Sequence, residues 1–186
     1  VRFAHFEQVF HVFFANVDHN ILVDVLEKSI PDQRIIGLLE NVIDSFSTRN
    51  GAGLPLGNLT SQLLVNIYMN EFDQFMKHEL KAKCYIRYAD DFVVLSENKR
   101  YLENVLPIIG KFVANSMKLE LNPNKVKTLA SGVDFLGWVH FPDHRVLRTS
   151  TKRRIYRWME KHFNEATRQS YLGLLQHGCG NKIRQI

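Results

Sequence analysis

The sequence predicts an α+β domain built on an antiparallel sheet. Three observations carry that expectation. Apolar residues recur at helical spacing over 20–46, 60–80 and 99–117; two β-rich arms flank a short acidic centre at 84–95; and short strand-like runs at 133–146 precede a basic helical ending.

The first helical stretch carries Ile21, Leu22, Val25 and Leu26, then Ile35, Ile36, Leu38, Leu39, Val42, Ile43 and Phe46. Pro31-Asp32 divides it in two, with Asp32 placed to accept the free amides that open the second helix. Thr48 to Leu54 has turn composition. Thr60 to Leu80 reads as one long amphipathic helix, with Leu63, Leu64, Ile67, Tyr68, Phe72, Phe75 and Met76 on its apolar side. Cys84 to Leu95 reads as a hairpin around Asp90-Asp91. Lys99 to Met117 is helical, and Pro107 inside it predicts a kink or an early break. Leu119 to Leu129 alternates apolar and polar residues around Asn122-Pro123. Val133 to Val146 predicts two short strands joined at Pro142-Asp143. The pattern from Thr149 onward is helical, with Ile155, Trp158, Met159 and Phe163 as its apolar stripe.

Composition narrows the class. The chain has 186 residues, 45% hydrophobic and 23% charged, which excludes disorder, collagen and a disulfide-stapled miniprotein. Its length suits one domain, or one domain and part of another. Cys84 and Cys179 are far apart without metal-ligand spacing, a pattern that suits a reducing, cytoplasmic compartment. No apolar run approaches the ~20 residues of a membrane span. The net charge of +5 is unevenly spread. Residues 145–186 hold ten Lys/Arg and two acids, net +8, whereas residues 1–144 hold 14 and 17, net −3. A basic ending on a near-neutral body fits a nucleic-acid partner, or is simply a solvated helix face.

Adjacent aspartates between two apolar strands need a reason, because like charges repel and burial raises the cost of ionising both. A divalent cation removes that problem, since hard carboxylate oxygens suit Mg²⁺, and two ions ~4 Å apart serve in-line phosphoryl transfer. The plain alternative is an Asp-Asp turn exposed on an ordinary hairpin.

The run Tyr88-Ala89-Asp90-Asp91 resembles the YxDD box of reverse transcriptases. Gly53-Leu54-Pro55-Leu56-Gly57-Asn58-Leu59-Thr60-Ser61-Gln62 resembles the family's loop-and-helix motif around template and nucleotide. Leu119-Glu120-Leu121-Asn122-Pro123-Asn124-Lys125 resembles a later palm motif, and Phe135-Leu136-Gly137-Trp138 the primer-grip hairpin. The four stand in family order and cover roughly 13–150. The LGxxxSQ form at 56–62, with His144-Arg145-Val146-Leu147-Arg148 and Tyr171 to His177, is most similar to reverse transcriptases of diversity-generating retroelements. Retron-like and group II intron-like enzymes share much of the palm.

The resemblance implies a palm over residues 1–148 and a basic helical thumb segment over 149–186. It also implies an RNA template, a DNA primer, dNTPs, Mg²⁺ (or Mn²⁺) in a two-metal site, and a small basic accessory protein. Asp90 and Asp91 would hold the metals, with Asp90 the more direct bridge. Phe14 would be the steric gate that screens the sugar 2′-position, unless it is plain core. Leu56, Gly57, Ser61, Gln62 and Tyr88 would contact nucleotide or template, although Ser61 also suits a helix cap. Lys125 would serve the departing pyrophosphate or be an ordinary surface lysine. Leu136, Gly137 and Trp138 would shape the primer grip, and Lys152, Arg153, Arg154 and Arg157 would track phosphates. Tyr156 and Trp158 would touch the strand or pack in the core, and His177 and Cys179 have no assigned role.

The chain also departs from the family. The first catalytic aspartate belongs four positions before the first Phe of Phe13-Phe14, and position 9 is Val9. Asp18 has a structural part, anchoring the helix that follows. Glu7, two residues before position 9 and about 7 Å along a strand, is a poor substitute. Residues 1–12 match nothing expected of the family, and the upstream fingers are absent. The expectation is therefore an N-terminally incomplete polymerase with little or no activity as written. The alternatives are a binding remnant without catalysis or, less well supported because of Phe14, an RNA-dependent RNA polymerase.

Overall fold

A computed structural model describes residues 3–10, 13–122 and 125–161, with Glu165, Gln169 and Gly173 beyond. Strand β1 (Ala4–Val9) leads into a single helical turn, α1 (Phe13–Asn16). Helices α2 (His19–Glu27) and α3 (Gln33–Asp44) follow. The break falls where proline requires it, and Asp32 accepts from the Arg34 amide at 2.9 Å. Asp18 caps α2 through the Ile21 amide and is gripped by Lys118 Nζ at 2.7 Å, which is the anchoring part expected of it.

The expected 60–80 helix is built from three pieces. They are α4 (Leu59–Tyr68), α5 (Asn70–Gln74) and a wide turn over Phe75–Glu79, in which the Leu80 amide reaches the Phe75 carbonyl. Strands β2 (Cys84–Tyr88) and β3 (Asp91–Ser96) form the hairpin, with Tyr88 opposite Asp91. Helix α6 (Lys99–Met117) runs through Pro107 without a break. Pro107 is exposed, so water can serve the carbonyl it leaves unpaired, while Leu102, Val105, Ile109, Val113 and Met117 stay buried along the other face.

Among the described residues of the alternating stretch after α6, Lys127–Thr128 pairs as strand β4 and Leu121 makes an isolated bridge with Phe10; Pro123 and Asn124 lie outside the described residues. Three strands, not two, occupy the next region: β5 (Val133–Phe135), β6 (Trp138–His140) and β7 (Arg145–Leu147). The extra turn is Leu136-Gly137, with φ of +53° and +80°, which matches the right-handed twist of a two-residue hairpin. The chain then enters α7 (Thr149–Lys161); Phe163, Tyr171, Leu172, residues 174–177 and Cys179 lie outside the described residues, as do the side chains of Trp158 and Met159.

The main sheet has the order β2-β3-β1-β4, antiparallel throughout. Alternation along β1 sends Ala4, Phe6, Gln8 and Phe10 to the helical layer, where Phe6, Phe10, Phe72 and Phe92 form an edge-to-face cluster. The opposite face of β1 meets the small sheet β5-β6-β7, and the Glu7 carboxylate accepts from the Asp134 amide at 2.8 Å.

Strand β1 is polar where it is most buried. His5 is fully buried and Gln8 is 4% exposed. Among the described residues, neither ring nitrogen of His5 nor Oε1 of Gln8 finds a hydrogen-bond partner; His5 Nε2 has only a 3.4 Å contact with Glu7. A buried polar atom without a protein partner costs stability. Gln8→Leu is therefore expected to raise the thermal midpoint by roughly 3–6 °C, from about 1–2 kcal/mol, measured by circular dichroism melting.

Candidate active site

The hairpin tip is a two-residue turn, Ala89-Asp90, in which Ala89 takes a left-handed φ of +51°. Asp90 and Asp91 are both half-buried, and the Asp90 carbonyl accepts from the Phe10 amide at 3.3 Å, tying the tip to the end of β1. Burial is the main cause that pushes the Asp91 carboxyl above its ordinary range; the Asp90 charge adds to it, Arg148 opposes it and Asp134 reinforces it. In the β1–β3 register, Val9 stands directly opposite Asp91.

A cleft of about 350 Å³ opens beside this turn, lined by Phe14, Gln62, Val65, Asn66, Arg87, Tyr88 and Ala89. Phe13 and Phe14 divide their labour: Phe13 is 3% exposed in the core, and Phe14 lines the cleft. The 48–54 loop backs Phe14 through the Leu54 amide to the Phe14 carbonyl, 2.8 Å, and Thr48 Oγ1 to the Ala15 carbonyl, 2.6 Å. Gly53 is required in that loop, since its φ is +109° and a Cβ would lie 2.6 Å from Thr48 Oγ1.

The other candidates fall as follows. Gln62 and Tyr88 join Phe14 in the cleft. Ser61 is buried inside α4 and does not cap it; Asn58 holds the cap position. Leu56 and Gly57 stand in solvent on the approach to α4, and Gly57 has a φ of +88° with open space where a Cβ would be. Lys125 is exposed on the connection that runs beside β1 toward β4. Leu136 is exposed at its turn, whereas Trp138 is 8% exposed and lies under the Arg145 guanidinium at 5.3 Å. The Gly137 carbonyl accepts from the Arg148 amide, and Arg148 Nε donates to Asp134 at 2.6 Å, so the turn and the Asp91 face share one residue. On α7, Arg153, Arg154 and Arg157 are exposed and Lys152 half-exposed, with no acidic partner among the described residues; Tyr156 is exposed and Ile155 is buried.

Comparison with known proteins decides the family. The model of the family described as reverse transcriptase (RNA-dependent DNA polymerase) matches residues 9–140. The chain belongs to the reverse transcriptase family. Among curated relatives of this chain, Protein YkfC of Escherichia coli (strain K12) is 27% identical over 180 residues, 75% of this chain and 46% of that protein. The group II intron-encoded protein LtrA of Lactococcus lactis subsp. cremoris is 23% identical over 211 residues, 76% of this chain and 35% of LtrA. The chain thus spans less than half the length of either relative. Telomerase from Candida albicans, solved with a fragment of telomeric RNA, has a TM-score of 0.60 at 13% identity, over 80% of this chain and 30% of that one. Apo telomerase from Candida tropicalis gives 0.56 at 14%, over 78% and 34%. At those identities the likeness is one of fold. No helix among the described residues is long and apolar enough to cross a membrane.

The donor set fits a divalent cation in part. Asp90 and Asp91 supply adjacent hard oxygens whose repulsion a cation would relieve. No group of three or more His, Cys, Asp or Glu that could hold a metal ion occurs among the described residues. Glu7 does not fill the gap. Its carboxylate accepts from Lys127 Nζ at 2.7 Å and from the Asp134 amide, so it clamps β1 to β4 and β5. Burial pulls its carboxyl up, but the close contact with His5, the bonds from Lys127 and the Asp134 amide, and the Lys127 charge outweigh that and hold it at about 2. Ionised Glu7 therefore stabilises the fold above the unfolded carboxyl range, and this contribution fades as pH falls from about 4.5 toward 2. The unaltered chain is expected to lose on the order of 3 kcal/mol more than Glu7→Gln across that window, read from urea unfolding at stepped pH.

Sequence reading missed two residues. Arg87 and Asp73 form a half-buried fork behind the turn, with Nη2–Oδ2 at 2.6 Å and Nε–Oδ1 at 2.9 Å. An arginine one position before the Tyr-Ala-Asp-Asp box was the only available signal, and its partner lies 14 residues upstream.

Proposed function

We propose that this chain carries the palm of an RNA-directed DNA polymerase that copies RNA into cDNA by nucleotidyl transfer, and that Val9 impairs it. The meeting of Phe14, Gln62 and Tyr88 in one cleft beside the Asp90-Asp91 turn carries this reading. Phe14 lies under the deoxyribose and excludes a 2′-hydroxyl, which selects dNTPs. Gln62 and Tyr88 bound the nucleotide and template, with Leu56, Gly57 and Ser61 on the same loop and helix. Asp90 and Asp91 hold the cation, and Lys125 meets the departing pyrophosphate. When bound, Mg²⁺ or Mn²⁺ would lower the pKa of the primer 3′-hydroxyl and offset charge on the leaving oxygens. Leu136, Gly137 and Trp138 form the primer grip. Lys152, Arg153, Arg154 and Arg157 follow the duplex phosphates as the start of a thumb over 149–186, with the palm over 1–148.

The Leu56 to Gln62 run supports the diversity-generating subtype, which would add a small basic accessory protein and errors opposite adenine; the likeness to LtrA supports the group II alternative. Scoring misincorporation opposite adenine on a defined RNA template separates the two. A second reading, a nucleic-acid-binding module without catalysis, is favoured by Val9 opposite Asp91. Primer extension on RNA tests both. Asp90-dependent synthesis by Val9→Asp supports the polymerase reading, binding without synthesis leaves the module, and robust Mg²⁺-dependent synthesis by the unaltered chain refutes the impairment.

A further inference from the structure

We propose that Arg87, locked by Asp73, is the positioning residue of the Ala89-Asp90 turn and sets Asp90 and Asp91 for a divalent cation. The inference rests on the reading of that pair as cation ligands and extends it to groups that touch no metal. Ala89 is a non-glycine residue at φ +51°, a conformation of order 1 kcal/mol above its alternatives, so its surroundings must hold it there. The holder is visible: Arg87 Nη1 donates to the Ala89 carbonyl at 2.9 Å. The Arg87 side chain is 10% exposed, and its guanidinium cannot swing away, because Nε and Nη2 are both committed to Asp73.

Asp73 is fixed in turn. It sits on α5 and accepts from Tyr85 Oη at 2.6 Å. Burial pulls its carboxyl up, yet bonds from Arg87 and Tyr85 bring it below the ordinary aspartate range, so the fork is an ion pair at neutral pH. Arg87 Nη1 also lies 3.4 Å from Asn66 Oδ1 on α4, one helical turn beyond Gln62. Arg87 can only donate, so the amide oxygen of Asn66 faces it and the amide hydrogens face away. One side chain therefore ties the carboxylate-bearing turn to α4, which carries one wall of the cleft. Lysine keeps the charge but cannot hold Asp73 with two donors and Ala89 with a third from one plane.

Titrating Mn²⁺ into the ¹⁵N-labelled full chain, and following paramagnetic broadening of the Asp90 and Asp91 amide signals, tests the assignment without any need for turnover. Arg87→Lys is expected to need about tenfold more Mn²⁺ for half-maximal broadening, with the thermal midpoint within a few degrees. Asp73→Asn, which preserves shape and loosens the fork, is expected to move the same way and stands in if Arg87→Lys fails to fold. Equal Mn²⁺ requirements in the folded variant and the unaltered chain overturn the positioning role alone. An unaltered chain with no localised broadening at Asp90 and Asp91 overturns the cation reading, and the proposal with it.

Discussion

Val9→Asp is expected to raise Mg²⁺-dependent DNA synthesis on a primed RNA template by about 100-fold or more. Position 9 pairs with Asp91 across the β1–β3 ladder, and residues paired in this way project from the same side of a sheet. An aspartate there would add a carboxylate at the register position opposite Asp91. Two-metal transfer draws on carboxylates from both strands, and loss of one costs orders of magnitude in rate. The substitution carries a second signature. Asp91 already holds its proton more tightly than an ordinary aspartate, because of burial and the Asp90 charge. A third carboxylate adds repulsion, so the variant should melt earlier than the unaltered chain in EDTA and regain stability on addition of Mg²⁺. Gel-resolved primer extension reads the first effect and calorimetry the second. A variant that synthesises nothing and ignores Mg²⁺ would remove position 9 from the site.

In the Val9→Asp chain, Asp90→Asn is expected to cut synthesis at least about 1000-fold while binding of an RNA–DNA hybrid stays within about twofold. The two effects separate because they reside in different elements. Asp90 lies at the hairpin tip, whereas Lys152, Arg153, Arg154 and Arg157 lie on α7. Fluorescence anisotropy at stepped salt reads the second half: four phosphate contacts from Lys152, Arg153, Arg154 and Arg157 give a log–log slope of roughly −3 to −4, unchanged by Asp90→Asn. A parallel fall in affinity would make Asp90 part of the binding surface instead.

Much of this was legible in the amino acids, for identifiable reasons. Helices α2, α3 and α6 announce themselves through caps and apolar stripes that local geometry alone enforces, and the β2–β3 hairpin through two apolar arms around charge. The third strand of the small sheet was not legible in the residue pattern, and only the family resemblance pointed to a hairpin at Leu136-Gly137. Leu136-Gly137 lacks the Asn-Gly or Asp-Gly signature of its turn, and a leucine at φ +53° is held by the pairing around it. Nor was the wide turn at Phe75–Glu79, which continues the apolar pattern of a regular helix. At the site, the motif pointed to Phe14, Gln62 and Tyr88, which the cleft unites. It could not reveal that Ser61 is buried or that Arg87 reaches Asp73, because both depend on how α4 and α5 lie against the hairpin.

The sheet order β2-β3-β1-β4 has a bearing on biosynthesis. Strand β1 becomes an inner one, and neither of its sheet neighbours exists until residues 91–96 and 127–128 have been translated. At usual elongation speeds that interval is on the order of ten seconds, during which β1 lacks both of those partners. A nascent chain so arranged is a natural client for holding chaperones until β3 arrives.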